Sequence, residues 1–182
     1  MNLWTRLAAY AYIETQHLIL RPFCFSDATD FYVISGNADN LEFIFPAQSS
    51  ISEAEYALAN YFMKQPLGTW AICTPENRMI GAIRFEKIDE VKREAEIGYF
   101  LLKDFWGQGL MTESLKELVS LSFTVFNFKK LKIIVHLENL ASRRVAEKCG
   151  FSLVRQYKGS DRYSRKMRDY LEFCFEKEHY NE

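Results

Sequence analysis

The chain has 182 residues, 48% of them apolar and 15% aromatic, enough to close one sizeable core and too apolar for a disordered chain. Its formal net charge of -1 gives no global electrostatic pull toward nucleic acid, and no apolar run approaches the roughly 20 residues that cross a bilayer. Cys24, Cys73, Cys149 and Cys174 lack metal-ligand spacing and sit in apolar runs, which predicts buried, reduced thiols, no metal site, no membrane contact and a cytoplasmic protein.

Leu3, Trp4, Leu7, Ala8 and Ala11 recur at helical spacing, so residues 1–13 are expected to form a short amphipathic extension. It is too short and too mixed for a signal peptide. Packing on the domain edge is its plainest role; a dimer contact or a lid over a substrate cleft are the alternatives. His17 to Phe23 reads as a strand with Pro22 near its end. Ser26 and Asp27 are N-cap residues for a helix to about Ser35, closed by Gly36-Asn37. Ser52 with Glu55 has the capping-box spacing for a second helix to about Lys64, before Pro66 and Gly68.

Three strands follow, at Thr69 to Thr74, Met79 to Lys87 and Ala95 to Leu102. The Pro75-Glu76-Asn77-Arg78 turn makes a hairpin of the first two. From Gln108 to Phe126 the apolar stripe Leu115, Leu118, Val119, Ser122 and Phe126 marks a helix. Leu131 to Leu137 reads as an unbroken apolar strand, the pattern of a sheet covered on both faces. Asn139 caps a helix to about Lys148, closed by Gly150. Phe151 to Tyr157 and Met167 to Glu176 are the last strands. No repeat or linker divides the chain, so residues 14–182 are expected to form a single α/β domain. The strand-helix-strand passage in its middle predicts a parallel pair, and the hairpins predict antiparallel neighbours, giving a mixed sheet with helices on both faces.

The junction before the long helix carries the chemistry. Glu96 to Leu102 reads as a strand, and Trp106-Gly107-Gln108-Gly109-Leu110-Met111-Thr112 as a Gly-x-Gly turn opening a helix. Such a turn aims unpaired backbone N–H groups outward, and the helix dipole adds to their attraction for phosphate. An ordinary tight connection is the alternative. A Rossmann dinucleotide site fits less well, because the third glycine and the early βαβ placement are missing.

With these residues the chain resembles the GNAT N-acetyltransferases. Trp106 to Met111 is similar to that family's acyl-CoA pyrophosphate loop. Asn139-Leu140-Ala141-Ser142 and Glu147-Lys148-Cys149-Gly150-Phe151 are similar to its later cofactor helix and Gly-Phe exit. Glu14-Thr15, Leu18 to Phe23 and Ala95 to Tyr99 resemble the RimJ/RimL-like branch, which includes N-terminal acetyltransferases of ribosomal proteins. The chain departs from the pattern at Trp106, at Met111 and at Ala146, where many relatives carry a Tyr general acid.

The resemblance implies a GNAT-like, mostly antiparallel sheet with a central splayed parallel pair, and acetyl-CoA as cosubstrate. Gly107, Gln108, Gly109, Leu110, Met111 and Thr112 would bind its diphosphate. Phe100, Leu101 and Leu102 would border its pantetheine arm, with the Leu101 N–H aimed at the thioester oxygen. Asn139 would bond the pantetheine amide besides capping its helix. Glu96 is the candidate general base, with a solvated strand glutamate paired to Arg84 or Arg93 as the alternative, and Glu94 as a weaker substitute. Ser142 is the remaining candidate acid. Arg143, Arg144 and Lys148 either meet phosphates or form a solvated basic face. His136 is expected to be a packed strand histidine. The expected reaction is acetyl transfer to a primary amine, a peptide N-terminus ahead of a small molecule, by direct attack in a ternary complex. The alternative is a non-catalytic acyl-CoA-binding protein. No nucleic-acid partner is expected, and either a monomer or a homodimer is allowed. The acceptor pocket is expected from the first two helices, Phe43-Ile44-Phe45-Pro46, and the connection from Gly159 to Arg165.

Overall fold

Asn2 opens the first helix: its Oδ1 accepts the Thr5 amide at 2.9 Å, and α1 (Leu3–Ala9) follows with Leu7 fully buried. The computed structural model describes residues 1–38 and 46–181. Beyond α1 come β1 (Ile13–Glu14), β2 (Ile19–Arg21), α2 (Ala28–Ser35), α3 (Ile51–Ala57), β3 (Thr69–Cys73), β4 (Met79–Asp89) and β5 (Glu94–Leu101). Then follow α4 (Leu110–Thr124), β6 (Lys130–His136), α5 (Leu140–Lys148), β7 (Ser152–Ser160) and β8 (Met167–Glu176). The strands form one mixed sheet in the order β1-β2-β3-β4-β5-β6-β8-β7. The β5–β6 pair is parallel, as expected, and α4 supplies the crossover that such a pair requires. The ladders joining β1 to β2, β2 to β3, β3 to β4, β6 to β8 and β7 to β8 are antiparallel.

The chain gathers into two compact units, one of Met1–Arg84 with Tyr99–Ser114, the other of Phe85–Gly98 with Leu115–Glu182. In the first, β3 is buried along its whole length. Phe62 is ringed by Phe23, Phe31 and Phe100 at centroid distances of 5.1, 5.4 and 5.9 Å. The Trp70 Nε1–H donates to the Tyr10 carbonyl at 3.0 Å and ties the segment after α1 to β3.

Two local expectations shift here. The cap of α3 is Ser50, not Ser52: Ser50 Oγ accepts the Glu53 amide at 3.2 Å while Glu53 accepts the Ser49 amide at 2.7 Å. The S-x-x-E spacing occurs twice in a row, and the earlier copy is used. Before α2, a 3-10 turn over Phe25–Asp27 intervenes, and Asp27 reaches back to the Cys24 amide at 2.9 Å instead of capping forward. Cys24 lies in that turn and is exposed, against the expectation that every thiol is buried; Cys73, Cys149 and Cys174 are buried.

In the second unit β6 corrects another expectation. It is not covered on both faces: Leu131, Ile133 and Val135 are buried, while Lys130, Lys132, Ile134 and His136 between them are half-exposed. The Lys and His interruptions carry the strand's period of two, which the apolar run of Ile133, Ile134 and Val135 conceals. The buried side meets an aromatic core in which Phe175 packs on Phe123, Phe151 and Tyr180 at 5.3 to 6.1 Å.

Candidate active site

The Gly-x-Gly turn adopts the conformation its composition suggests. Gly107 and Gly109 have φ of 77° and 76°, in the left-handed region that side chains disfavour. A Cβ at either position would meet nothing within 4 Å, so these glycines leave open space above the backbone. The first bond anchoring α4 runs from the Glu113 amide to the Gly109 carbonyl at 2.9 Å. Among the described residues, the amides of Gly107, Gln108, Gly109, Leu110 and Met111 have no protein acceptor. A row of donors at the positive end of a 15-residue helix fits a diphosphate. Met111 is nearly buried, so its long side chain turns inward and leaves its amide available. Thr112 lies in the same first turn.

Two residues around this turn carried no clear sequence signal. Glu113 accepts from Thr15 Oγ1 at 2.7 Å and from the His17 amide at 3.0 Å, and pairs with His17 Nδ1 at 2.7 Å. Burial would raise its carboxyl, but the bonds from Thr15 and His17 outweigh this and hold it below the usual carboxylate range. An acid in a helix's first turn is so common that its distant partners stay hidden in sequence. Gly81 on β4 is the other. A side chain there would collide with the Phe100 carbonyl and crowd the Leu101 backbone, so glycine sets how closely β4 approaches the end of β5.

At that strand end Phe100, Leu101 and Leu102 are buried. The Leu101 carbonyl accepts Trp106 Nε1–H at 2.8 Å, and the Leu102 amide donates to Ile80 at 2.7 Å. The Trp at the head of the loop thus latches the loop to the strand.

Glu96 lies in the other unit, where the parallel ladder covers Glu94–Lys130, Ala95–Leu131 and Glu96–Lys132. β5 continues to Leu101 and β6 to His136, so Glu96 sits where the pair ends its ladder. Its side chain is 20% exposed, with Lys87 Nζ 3.9 Å away. Burial pushes its carboxyl above the usual range, helped by Glu86 and opposed by Lys87, Lys132 and Arg162. The alternative, a pairing of Glu96 with Arg84 or Arg93, is not found among the described residues; its ion-pair contact is the weak one with Lys87. Glu94 pairs with Lys132 at 3.1 Å.

Asn139 caps α5 as expected, accepting the Ser142 amide at 3.1 Å; its side-chain NH2 remains a donor. Ser142 is half-buried in the first turn, and Ala146 is fully buried. Arg143 donates to the Leu137 carbonyl at 3.2 Å, which commits part of its guanidinium to the backbone. His136 is packed against Tyr170 at 4.8 Å, with its Nε2 3.7 Å from Asp161. Of the expected acceptor elements, Phe43-Ile44-Phe45 lie outside the described residues. The connection from Gly159 to Arg165 is a hairpin tip folded around Asp161.

A GNAT acetyltransferase domain model matches residues 17–152. An uncharacterized N-acetyltransferase, YoaA of Bacillus subtilis, is 29% identical over 154 residues, covering 80% of this chain and 86% of its own length. A ribosomal-protein-serine acetyltransferase of Escherichia coli is 32% identical over 78 residues, 43% of this chain and 44% of that protein. Among solved structures, a GNAT-family acetyltransferase from Bacillus anthracis superposes with a TM-score of 0.82 at 19% identity, covering 92% of this chain and 99% of that one. The RimL ribosomal L7/L12 α-N-protein acetyltransferase in complex with coenzyme A gives a TM-score of 0.75 at 23% identity, covering 91% and 97%. The chain belongs to the GNAT acetyltransferase family and is an acetyl-CoA-dependent N-acetyltransferase.

Proposed function

We propose that this enzyme acetylates a primary amine, preferentially a peptide or protein N-terminus, by direct attack within a ternary complex. The observation that carries the proposal is the row of unpartnered amides from Gly107 to Met111 beneath two glycines with open space above them. These amides, with Thr112, hold the diphosphate of acetyl-CoA, which supplies the acetyl group as a thioester. Phe100, Leu101 and Leu102 line the pantetheine arm, and the Asn139 NH2 bonds one of its amide carbonyls. Glu96 accepts the proton that the acceptor ammonium must lose before its nitrogen can attack; its raised carboxyl makes it a better base than an ordinary glutamate. The Leu101 N–H steadies the negative charge that gathers on the thioester oxygen. Ser142 returns a proton to the departing thiolate, since Ala146 offers none.

Direct attack is supported by the state of the buried thiols. Burial pushes Cys73 up to about 12 and Cys149 up to about 11, so neither supplies a thiolate to form an acyl-enzyme near neutral pH. The α-amine preference rests on proton equilibria: near pH 7 about a tenth of an N-terminal amine is neutral, against under about 0.1% of a lysine. The names of relatives acting on ribosomal proteins agree with it. We further assign residues 1–13 to an extension preceding the catalytic domain, and the reaction to a reducing, cytoplasmic setting that keeps four free thiols reduced.

The test is CoA release with two matched peptides, one with a free N-terminus and blocked lysines, the other the reverse. Faster turnover of the first is expected. Turnover of lysine side chains alone would overturn the assignment.

A further inference from the structure

Gly98 stands two residues beyond Glu96 on β5, and nothing in its own backbone calls for glycine. Its φ lies outside the left-handed region in which Gly68, Gly107, Gly109 and Gly150 are found. Its empty space is what the structure uses. A Cβ on Gly98 would overlap Glu86 Oε1 and would lie 2.8 and 3.0 Å from Glu86 Cγ and Cδ. The carboxyl end of Glu86, coming from the neighbouring strand β4, therefore occupies the place that a side chain would take. A glycine inside a strand marks such a close approach.

Strand alternation turns Glu94, Glu96 and Gly98 to one face of β5, and two residues along a strand span about 6.6 Å. The missing side chain at Gly98 thus seats Glu86 beside Glu96. Three cations face Glu96: Lys87 on β4 at 3.9 Å, Lys132 on β6, which Glu94 engages at 3.1 Å, and Arg162 between β7 and β8. The Tyr157 phenol on β7 feels the Glu96 charge in turn. Each cation favours the ionised carboxylate and so weakens it as a proton acceptor. Burial is the larger influence that works the other way, and Glu86 is the charge that adds to it.

We propose that Glu86 is a positioning residue of the acetyl transfer, seated by Gly98 so that its negative charge keeps Glu96 able to take the acceptor's proton despite the three cations around it. The proposal rests on Glu96 as the base and deepens that reading. In the step, an N–H bond of the acceptor ammonium breaks and its electron pair stays on nitrogen for attack on the thioester carbon. The proton ends on a Glu96 oxygen. A second negative charge beside Glu96 favours that transfer, because it penalises the carboxylate and not the neutral acid. The same charge attracts the incoming ammonium.

The test uses the full chain, saturating acetyl-CoA and a peptide with a free N-terminus, with CoA release followed across pH. In Glu86→Gln the lower-pH limb of kcat/KM, which reports the base, should move toward lower pH by about half a unit to one, because a nearby like charge is gone. The plateau should fall roughly three- to tenfold as the base weakens, with KM for acetyl-CoA unchanged. Gly98→Ala should move the limb the same way although Glu86 remains in the chain, because the new methyl takes the place of its carboxyl end. The double variant should go no further than either single one. A merely structural role would lower activity at every pH and leave the limb in place. An unmoved limb in Glu86→Gln, or a move to higher pH, would overturn the proposal; that variant decides alone should Gly98→Ala not fold. Glu96→Gln tells the two readings apart. A lower limb that survives in it removes Glu96 as base and this proposal with it, whereas a limb lost there but unmoved in Glu86→Gln overturns the role of Glu86 alone.

Discussion

Glu96 is asked to do two opposed things: stay folded in a half-buried position and carry a negative charge. Its carboxyl is raised by burial, so the folded chain favours its protonated form, and ionising it costs stability that is fully felt only above the folded pKa. Gln at this position never ionises. Glu96→Gln should therefore lose on the order of 10² to 10⁴ in turnover while CoA affinity stays the same and the melting temperature at pH 7.5 does not fall. Equal turnover in the variant would remove Glu96 as base. The pH profile gives a second check. A base must be ionised, so wild-type activity should drop as pH falls through a pKa above the ordinary carboxylate range, superimposed on the amine's own titration near 8. The variant should keep only the amine's limb. Among the thiols, Cys24 alone is exposed, which predicts one fast equivalent per chain with a disulfide reagent and three more after unfolding. Two or more fast equivalents would contradict the burial of Cys73, Cys149 and Cys174.

The elements around the turn work as a clamp. Glu113 joins the start of α4 to the chain between β1 and β2 through Thr15 and His17, just beyond the amides proposed to hold phosphate. Glu113→Ala should loosen that turn and raise KM for acetyl-CoA by roughly tenfold, with a smaller change in kcat, because uniform binding is lost and transition-state contacts are not. Gly109→Ala should act in the same direction for a different reason. The space is open, so the cost is the left-handed backbone alone, about 1–2 kcal/mol. A kcat loss with unchanged KM in either variant would detach the turn from cofactor binding. These effects separate what a sequence carries from what it does not. The Gly-x-Gly turn and the Asn139 cap were readable because short-range geometry demands those residue types. The use of Ser50 over Ser52 was not, since two identical spacings compete and only packing chooses between them. Nor was Gly81, whose reason is a carbonyl on a strand far along the chain. The alternation of β6 is hidden in the sequence because one apolar residue, Ile134, occupies a half-exposed position on the same side as Lys132 and His136.

For the folded chain as a whole, the succession of elements and the parallel crossover are legible from hydrophobic periods and turn residues, while the order of strands in the sheet, with β8 between β6 and β7, and the ion pairs that tune its stability are not. Arg21 and Asp27 form a two-bonded pair at 2.7 and 2.9 Å, with side chains 12% and 5% exposed. Burial alone would raise Asp27, but the bonds from Arg21 and the Cys24 amide hold its carboxyl below the ordinary range. Its ionised form thus stabilises the fold above the unfolded pKa, near 4, and that contribution disappears as pH falls through the lower folded value. Glu113 has the same sign, and Glu96 the opposite one. Stability should therefore hold or rise slightly as pH falls toward the Glu96 range, then decline from about 4, the unfolded value, down to the lower pH at which folded Asp27 takes up its proton. Asp27→Asn isolates the cause. It leaves a largely buried guanidinium without its countercharge, which should cost about 3 kcal/mol at neutral pH. The gap should narrow as pH falls through the lowered folded pKa of Asp27, because the wild-type carboxyl then becomes neutral as well. Urea melts of the two proteins across pH measure this directly, and a difference that stays constant from pH 7 to 2 would show that packing around the substituted amide, not the charge, sets the loss.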